Sequence, residues 1–145
     1  NELNWKVVIG PNFSEKLIRN IDSLIIKSNH RVKKIISEDS LKKFISWSDI
    51  TIATSGLTKY EILQTHTPSV IIPFNDKQYK LNRAAESQEA FITVKPTFTI
   101  QELASDIEML LSNYKLRKKL SKKSSEIIDG DGIKKIITKL NLDDW

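Results

Sequence analysis

The sequence predicts an α/β layer fold with a parallel β-sheet. Short apolar runs alternate with segments in which apolar residues recur every three or four positions, and these patterns are typical of strands and helices. The third and fourth of these runs are apolar almost throughout, as expected for strands that helices cover on both faces. Strands that alternate with helices in this way predict a parallel sheet between helical layers.

Three strands and three helices are predicted in the first 64 residues. Gly10-Pro11 stops the first strand, and Ser14 can cap the helix that follows it. Gly56 breaks the chain between the third strand and the third helix. In chain order, these strands and helices are predicted at residues 6–9, 14–27, 32–37, 40–47, 50–53 and 57–64.

Two strands and four helices are predicted in the remainder of the chain. Pro68 opens the fourth strand and Pro73 closes it. Thr99 and Glu102 have the spacing of a capping box, which starts a series of helices over residues 99–141. We expect these C-terminal helices to wrap the sheet or to brace a neighbouring domain. The elements before them are predicted at residues 69–72, 80–88 and 91–94.

Length and composition predict a single domain over residues 1–145. A chain of 145 residues can bury a core without metal or disulfide staples, and the absence of cysteine excludes a disulfide framework and a cysteine nucleophile. No apolar run approaches the roughly 20 residues that span a bilayer. We therefore expect a cytoplasmic protein. Because the first residues resemble neither a signal peptide nor a native start, we expect a piece of a longer protein.

The net charge of +5 is concentrated near the C-terminus. Residues 1–112 carry 14 Lys+Arg against 13 Asp+Glu, whereas residues 113–145 carry 9 against 5. Most of the excess lies on one predicted helix, opposite an apolar stripe, which favours a solvated face. A nucleic-acid surface is the alternative, but Lys outnumbers Arg 19 to 4 and the only nearby ring is Tyr114. We therefore predict no nucleic-acid partner. The basic residues of this helix are Lys115, Arg117, Lys118, Lys119, Lys122 and Lys123.

The turn after the third predicted strand has the residue types of a phosphate site. Right-handed crossovers place such loops at one edge of a parallel sheet, where ligands bind. Gly56 permits a close approach to the backbone, and the free amides and dipole of the next helix suit a phosphate or diphosphate. Ser55, Thr58 and Lys59 add hydroxyls and a charge, and Glu61 could accept two hydrogen bonds from a ribose diol. The alternative is a plain helix start capped by Ser55 or Thr58.

A second polar loop follows the fourth strand and is expected at the same edge of the sheet. Gln78 and Asn82 are four residues apart, so they share a helix face, and their amides could hold sugar or phosphate oxygens. The alternative is a helix start capped by Asn75 or Asp76.

Other chemical sites find little support in the sequence. The Asp-Gly-Asp-Gly run at residues 129–132 lacks the bidentate Glu of a calcium loop, because Leu140 stands at that position. His30 and His66 have no carboxylate partner in a metal or triad spacing, and neither a dinucleotide fingerprint nor a P-loop is present. We predict no metal and no cofactor.

The two polar loops and their strands resemble the C-terminal half of GT-B nucleotide-sugar enzymes. The resemblance is carried by SDITIATSGLTKYE at residues 48–61 and TPSVIIPFNDKQ at 67–78, with Asn82 after it. It is closest to the UDP-sugar hydrolases of pseudaminic acid biosynthesis and the spore coat polysaccharide protein SpsG, and more distant to MurG-type N-acetylglucosaminyltransferases. It implies a Rossmann-like, three-layer parallel sheet of about five strands with helices on both faces. The first strand of related halves, with its Gly-rich loop, is not found in this sequence.

The resemblance also implies a UDP-sugar site. In such enzymes a helix-start loop holds the diphosphate, a Glu inside the helix holds the ribose, and the polar loop after the next strand contacts phosphates or sugar. The uracil lies against the backbone that follows an earlier strand. In the same order, the implied nucleotide-binding residues here are Ser55, Gly56, Leu57 and Thr58; Glu61; Gln78 and Asn82; and Ile36.

The resemblance implies half of an enzyme that removes UDP from a UDP-linked amino sugar in bacterial surface-glycan biosynthesis. The catalytic His of that family lies in the N-terminal half, so we expect no catalytic residue in this chain and no turnover by it alone. The expected partners are a UDP-sugar, the missing N-terminal domain and, through exposed sheet edges, a second copy. Two alternatives stay open: a GT-B glycosyltransferase with the same UDP site, and a non-catalytic binding module.

Overall fold

The structure, a computed structural model, describes residues 2–36, 40–86 and 89–140. The chain divides into two compact units, Asn1–Phe44 and Ile45–Trp145. The nucleotide-sugar-binding domain expected over residues 1–145 stays a prediction.

Two parallel strands and the helix between them form most of the first unit. β1 (Asn4–Ile9) pairs with β2 (Arg31–Ile36) along its whole length. The connecting helix, α1 (Glu15–Ile26), begins after Ser14, whose Oγ accepts the backbone N–H of Leu17 at 3.3 Å. The predicted cap is therefore confirmed, and the observed bounds of α1 lie within one residue of the predicted ones.

The elements after β2 are α2 (Lys42–Ile45), β3 (Thr51–Thr54), α3 (Thr58–Gln64), β4 (Ser69–Ile72), α4 (Asp76–Glu86), β5 (Ile92–Thr93), α5 (Ile100–Ser112), α6 (Tyr114–Ile127) and α7 (Gly132–Lys139). In the second unit β4 lies between β3 and β5 and pairs with both in parallel. Parallel strands end at a common edge, so the loops after β3 and β4 leave the sheet side by side.

The five predicted strands and their parallel pairing are present, but the strands hydrogen-bond as two sheets. Among the described residues β1 pairs with β2, and β3, β4 and β5 form a separate three-stranded sheet. Apolar runs identify strands because they report burial. They do not encode which strands become neighbours, since long-range packing decides the pairing.

Strand β4 forms the centre of the second unit. Its consecutive residues Ser69, Val70 and Ile71 are all fully buried, which shows that both faces of the strand are covered. Val70 packs into a core cluster with Val94, Leu110 and Leu120. Burial of one such aliphatic side chain contributes about 1.5–3 kcal/mol, so this cluster holds α5 and α6 against the sheet.

The capping box at the start of α5 is confirmed and gives a first testable prediction. Thr99 Oγ1 accepts the N–H of Glu102 at 3.2 Å, and the Glu102 carboxylate accepts the N–H of Thr99 at 2.7 Å. We expect Thr99→Ala to lower the free energy of unfolding by about 1 kcal/mol. Urea denaturation measures the change. Thr97→Ala, at an exposed turn position, is the control, and an equal loss in the two variants contradicts the capping role.

The same capping box should depend on pH. The backbone N–H of Thr99, followed by its hydroxyl, holds the pKa of the Glu102 carboxyl below its ordinary value. A carboxyl whose pKa is lower in the folded state stabilises the fold above its unfolded pKa, and this contribution disappears as pH falls through the folded pKa. Thr99→Ala keeps the backbone hydrogen bond to this carboxylate and removes only that of the hydroxyl. The difference in free energy of unfolding between the wild type and Thr99→Ala should therefore shrink on acidification by the hydroxyl's share alone.

Candidate functional site

The predicted phosphate loop leaves the carboxyl end of β3. The N–H of Ser55 donates to the carbonyl of Ile72 at 2.9 Å, so the pairing of β3 with β4 continues to the start of the loop. The N–H of Gly56 then donates to the carbonyl of Thr54 at 2.8 Å and turns the chain. Helix α3 begins two residues later, so residues 55–58 join a strand directly to a helix start.

No described residue requires a glycine at position 56. Gly56 is exposed, and its φ lies outside the left-handed region. A Cβ built on it meets no described heavy atom within 4 Å outside the adjoining residues 55 and 57. The backbone of the turn is therefore open on one side, in the manner that lets a ligand approach peptide groups closely.

The first two amides of α3, those of Thr58 and Lys59, have no acceptor among the described residues, whereas that of Tyr60 donates to the Leu57 carbonyl at 2.9 Å. The first N–H groups of any helix lack intrahelical partners. The N-cap residue is Leu57, whose side chain cannot accept a hydrogen bond and is 82% exposed. No described side chain caps these amides, so the plain capped start that the sequence left open through Ser55 or Thr58 is not found.

A buried polar network lies beneath this turn and is centred on Asn82 of α4, which is 0% exposed. Asn82 Oδ1 accepts hydrogen bonds from Ser55 Oγ at 2.8 Å and from Lys59 Nζ at 3.0 Å. Asn82 Nδ2 donates to Thr93 Oγ1 at 3.1 Å, and this hydroxyl donates to the carbonyl of Ile71 at 3.1 Å. The network thereby joins the loop, α3, α4, β4 and β5.

The structure brings Ser55 and Asn82 together, although they are 27 residues apart in the sequence. Both side chains are buried, and Ser55 Oγ donates to Asn82 Oδ1. These polar atoms therefore do not face the open space beside Gly56. In this geometry they support the loop from within. Their direct contact with a nucleotide, predicted from the sequence, stays a prediction.

Helix α4 begins at Asp76, four residues before the predicted start. Asn75 Oδ1 accepts the N–H of Gln78 at 2.9 Å, and Gln78 Oε1 accepts the N–H of Phe74 at 2.8 Å. The start capped by Asn75, which the sequence offered as an alternative, is therefore confirmed. Gln78 Nε2 takes no part in these two bonds and stays available as a donor at the edge of the sheet.

The two remaining predicted residues lie apart in the chain. Glu61 lies in the first turn of α3, is exposed, and makes no side-chain hydrogen bond or ion pair with a described residue. Ile36 ends β2 in the first unit and is 60% exposed. Residues 37–39, which follow it, lie outside the described residues, and the uracil contact near Ile36 stays a prediction.

Thr93 belongs to the buried network but is not among the residues that the sequence indicates. Lys59, which the sequence indicates as a charge for the phosphate, instead donates to Asn82 from a buried position. Only the charge of Lys59 beside a phosphate-type loop is visible in the sequence, because Ser55 precedes α3 and no helical spacing links it to Lys59. Thr93 carries no comparable signal, since threonine is an ordinary residue in a short strand.

The basic side chains of α6 are used partly within the protein. Arg117 donates to the carbonyls of Leu110 and Leu111 at the end of α5, at 2.6 and 2.8 Å. Two lysines of the helix form ion pairs with glutamates, which favours the solvated structural face over a surface for nucleic acid. These pairs are Lys119–Glu89 and Lys123–Glu126.

The rest of the described chain offers no stronger site. Within residues 2–36, 40–86 and 89–140, no group of three or more acidic or His side chains could hold a metal ion. No helix in the same ranges has both the length and the apolarity to cross a membrane. A cleft of about 480 Å³ contains none of the predicted nucleotide-binding residues; it is lined by Asp131, Lys134, Lys135, Thr138 and Lys139.

Comparison with known proteins yields no matching family model and no matching curated protein. Solved structures do match. The Spinosyn Forosaminyltransferase SpnP superposes with a TM-score of 0.66 at 16% identity, over 95% of this chain and 43% of that one. The MurG of Acinetobacter baumannii superposes with a TM-score of 0.66 at 14% identity, over 87% of this chain and 46% of that one.

The chain has the Rossmann-like fold of a GT-B domain. The predicted α/β architecture, with parallel sheets and helices on both sides, is therefore confirmed. At 16% and 14% identity these likenesses concern the fold alone. The chain spans less than half the length of either matching protein.

Proposed function

We propose that the chain is the nucleotide-sugar-binding part of a GT-B glycosyltransferase and that the loop at residues 55–58 holds the diphosphate. The observation that carries this proposal is the open backbone at Gly56, where the fold tolerates a side chain and the sequence has none. The loop lies at the carboxyl edge of a parallel sheet, which is where open α/β sheets bind ligands. The uncapped amides of the first turn of α3 supply donors that suit an anion.

Each residue of the site then has a distinct task. The backbone of the loop contacts the diphosphate, while Ser55 and Asn82 hold the loop from beneath through their mutual hydrogen bond. Glu61, exposed in the first turn of α3, accepts hydrogen bonds from the ribose hydroxyls. Gln78 Nε2 donates to phosphate or sugar oxygens, and the uracil contact near Ile36 stays a separate prediction for the first unit.

We propose sugar transfer to an acceptor, rather than hydrolysis of the UDP-sugar, as the reaction of the intact protein. The SpnP structure is that of a forosaminyltransferase, and MurG is the type of enzyme that the sequence already resembles more distantly. In both reactions the UDP leaving group gains negative charge, and amides aimed at the diphosphate stabilise it. Because the UDP site serves either reaction, it does not discriminate between them.

A UDP-sugar hydrolase is the second candidate, favoured by the closer resemblance of residues 48–61 to that family. The two reactions differ in the acceptor. We expect the intact protein to consume a UDP-sugar only when an acceptor sugar is present. Release of UDP in water without an acceptor, followed by nuclear magnetic resonance (NMR), would instead support the hydrolase.

Glu61 gives a direct test of the ribose contact. We expect Glu61→Gln to weaken UDP binding about tenfold, which corresponds to about 1.4 kcal/mol, because the amide replaces one of the two acceptor oxygens. Calorimetry measures the dissociation constant. The wild type should bind UDP that lacks the 2′- and 3′-hydroxyls about tenfold more weakly than UDP. Glu61→Gln should bind the two nucleotides with equal affinity.

A matched control and a contradicting outcome accompany this test. Glu108→Gln removes the same charge from an exposed position on α5 and should leave UDP binding unchanged. If Glu61→Gln binds UDP as tightly as the wild type, Glu61 does not hold the ribose.

A further inference from the structure

Lys59 is a buried cation for which the described residues supply no anion. The residue is 8% exposed, and its Nζ donates to Asn82 Oδ1 at 3.0 Å. Nζ also lies over the ring of Tyr60, 5.0 Å from its centroid. No described carboxylate forms an ion pair with Lys59, in contrast to Lys119 and Lys123 of α6.

An ammonium group in this position is costly to bury. A buried charge normally requires an opposite charge and a full set of hydrogen bonds, and an apolar side chain of similar size would avoid the cost. The amide oxygen of Asn82 and the face of Tyr60 compensate only in part, because an ammonium has three N–H donors and neither partner carries a charge. An anionic ligand would compensate for the cost of burying this charge.

Lys59 is linked to the diphosphate loop by two hydrogen bonds. Its Nζ and Ser55 Oγ both donate to the same oxygen of Asn82, so the positive charge lies directly beneath the turn at Gly56. Inside a protein such a charge is screened less than a surface lysine, and its attraction for an anion above the turn is correspondingly stronger.

We infer that Lys59 determines specificity for the number of phosphates: its buried charge raises the affinity of the loop for nucleoside diphosphates above that for monophosphates. The inference rests on the proposed function. Lys59 acts through the field beneath the loop and not by contact with the sugar or the base. Its removal should therefore change the ratio of two affinities rather than lower every affinity alike.

The test compares UDP and UMP binding to the wild type, Lys59→Met and Lys122→Met. We expect Lys59→Met to weaken UDP binding about tenfold and UMP binding much less, because UDP carries more charge near the loop. Lys122→Met removes a charge from an exposed position on α6 and should leave both affinities unchanged. Thermal unfolding of each variant checks that the fold is retained.

Each outcome separates the inference from the proposed function. If the wild type binds no UDP, the proposed function fails. The inference fails if the wild type binds UDP and Lys59→Met binds it equally well. It also fails if the affinities of Lys59→Met for UDP and UMP fall by the same factor. Should Lys59→Met unfold, the double variant Lys59→Met/Asn82→Leu replaces both polar partners by apolar groups, and the same UDP-to-UMP ratio then decides.

Discussion

Replacing Gly56 with valine should abolish UDP binding while the protein stays folded. Gly56 is exposed, its φ is accessible to other residues, and no described heavy atom outside residues 55–57 lies within 4 Å of an added Cβ. The free energy of unfolding should therefore change by no more than about 0.5 kcal/mol, as for other surface substitutions. A diphosphate seated against the turn would meet the branched side chain, and we expect at least about a hundredfold loss of affinity, or about 2.8 kcal/mol.

The chain contains a matched control for this substitution. Gly132 also has open space around its Cβ position, but it begins α7 and is not part of the loop after β3. Gly132→Val should therefore leave both stability and UDP binding unchanged. Unchanged UDP binding by folded Gly56→Val would place the diphosphate elsewhere, and loss of folding in this variant would contradict the open geometry of the turn.

Replacing Asn82 with alanine should cause the largest loss of stability among the substitutions considered. Asn82 is fully buried and satisfies Ser55, Lys59 and Thr93 at once. Its truncation leaves a buried cation and the Ser55 hydroxyl without their acceptor, whereas the Thr93 hydroxyl keeps its bond to the Ile71 carbonyl. The cost of such unsatisfied groups is about 1–3 kcal/mol each and more for a charge, so we expect a total loss of about 3 kcal/mol after relaxation of the site.

Urea denaturation of three variants tests the Asn82 network. Asn12→Ala, at an exposed turn position, should change the free energy of unfolding by no more than about 0.5 kcal/mol. Lys59→Met/Asn82→Leu should be more stable than Asn82→Ala, because it removes the buried cation together with its acceptor. If Asn82→Ala is as stable as Asn12→Ala, the network does not hold the second unit together.

The sequence predicted elements best where local chemistry determines their ends. Pro68 and Pro73 bracket β4, and its observed bounds are those predicted. Ser14 and the pair Thr99–Glu102 mark helix starts because their side chains bond to free amides at a known spacing. At α4 the sequence contained the correct cap, Asn75, as an alternative, although the helix itself was predicted to begin later.

The sequence was less informative about the interior of the site. The sequence indicates Asn82 and Ser55 as nucleotide contacts because their polar side chains follow strands at the binding edge. Their partners are buried atoms far along the chain, and no local pattern distinguishes a polar group that faces a ligand from one that faces another polar group. The division of the strands into two sheets was hidden for a related reason, because pairing depends on residues distant in sequence.

The most direct test of the diphosphate loop is an NMR titration of the ¹⁵N-labelled chain with UDP. The backbone amide resonances of residues 55–58 should shift most and saturate together, with that of Glu61 among the next to respond. Saturating shifts confined to the lysines of α6, or no shift at all at millimolar UDP, would contradict this loop as the diphosphate site.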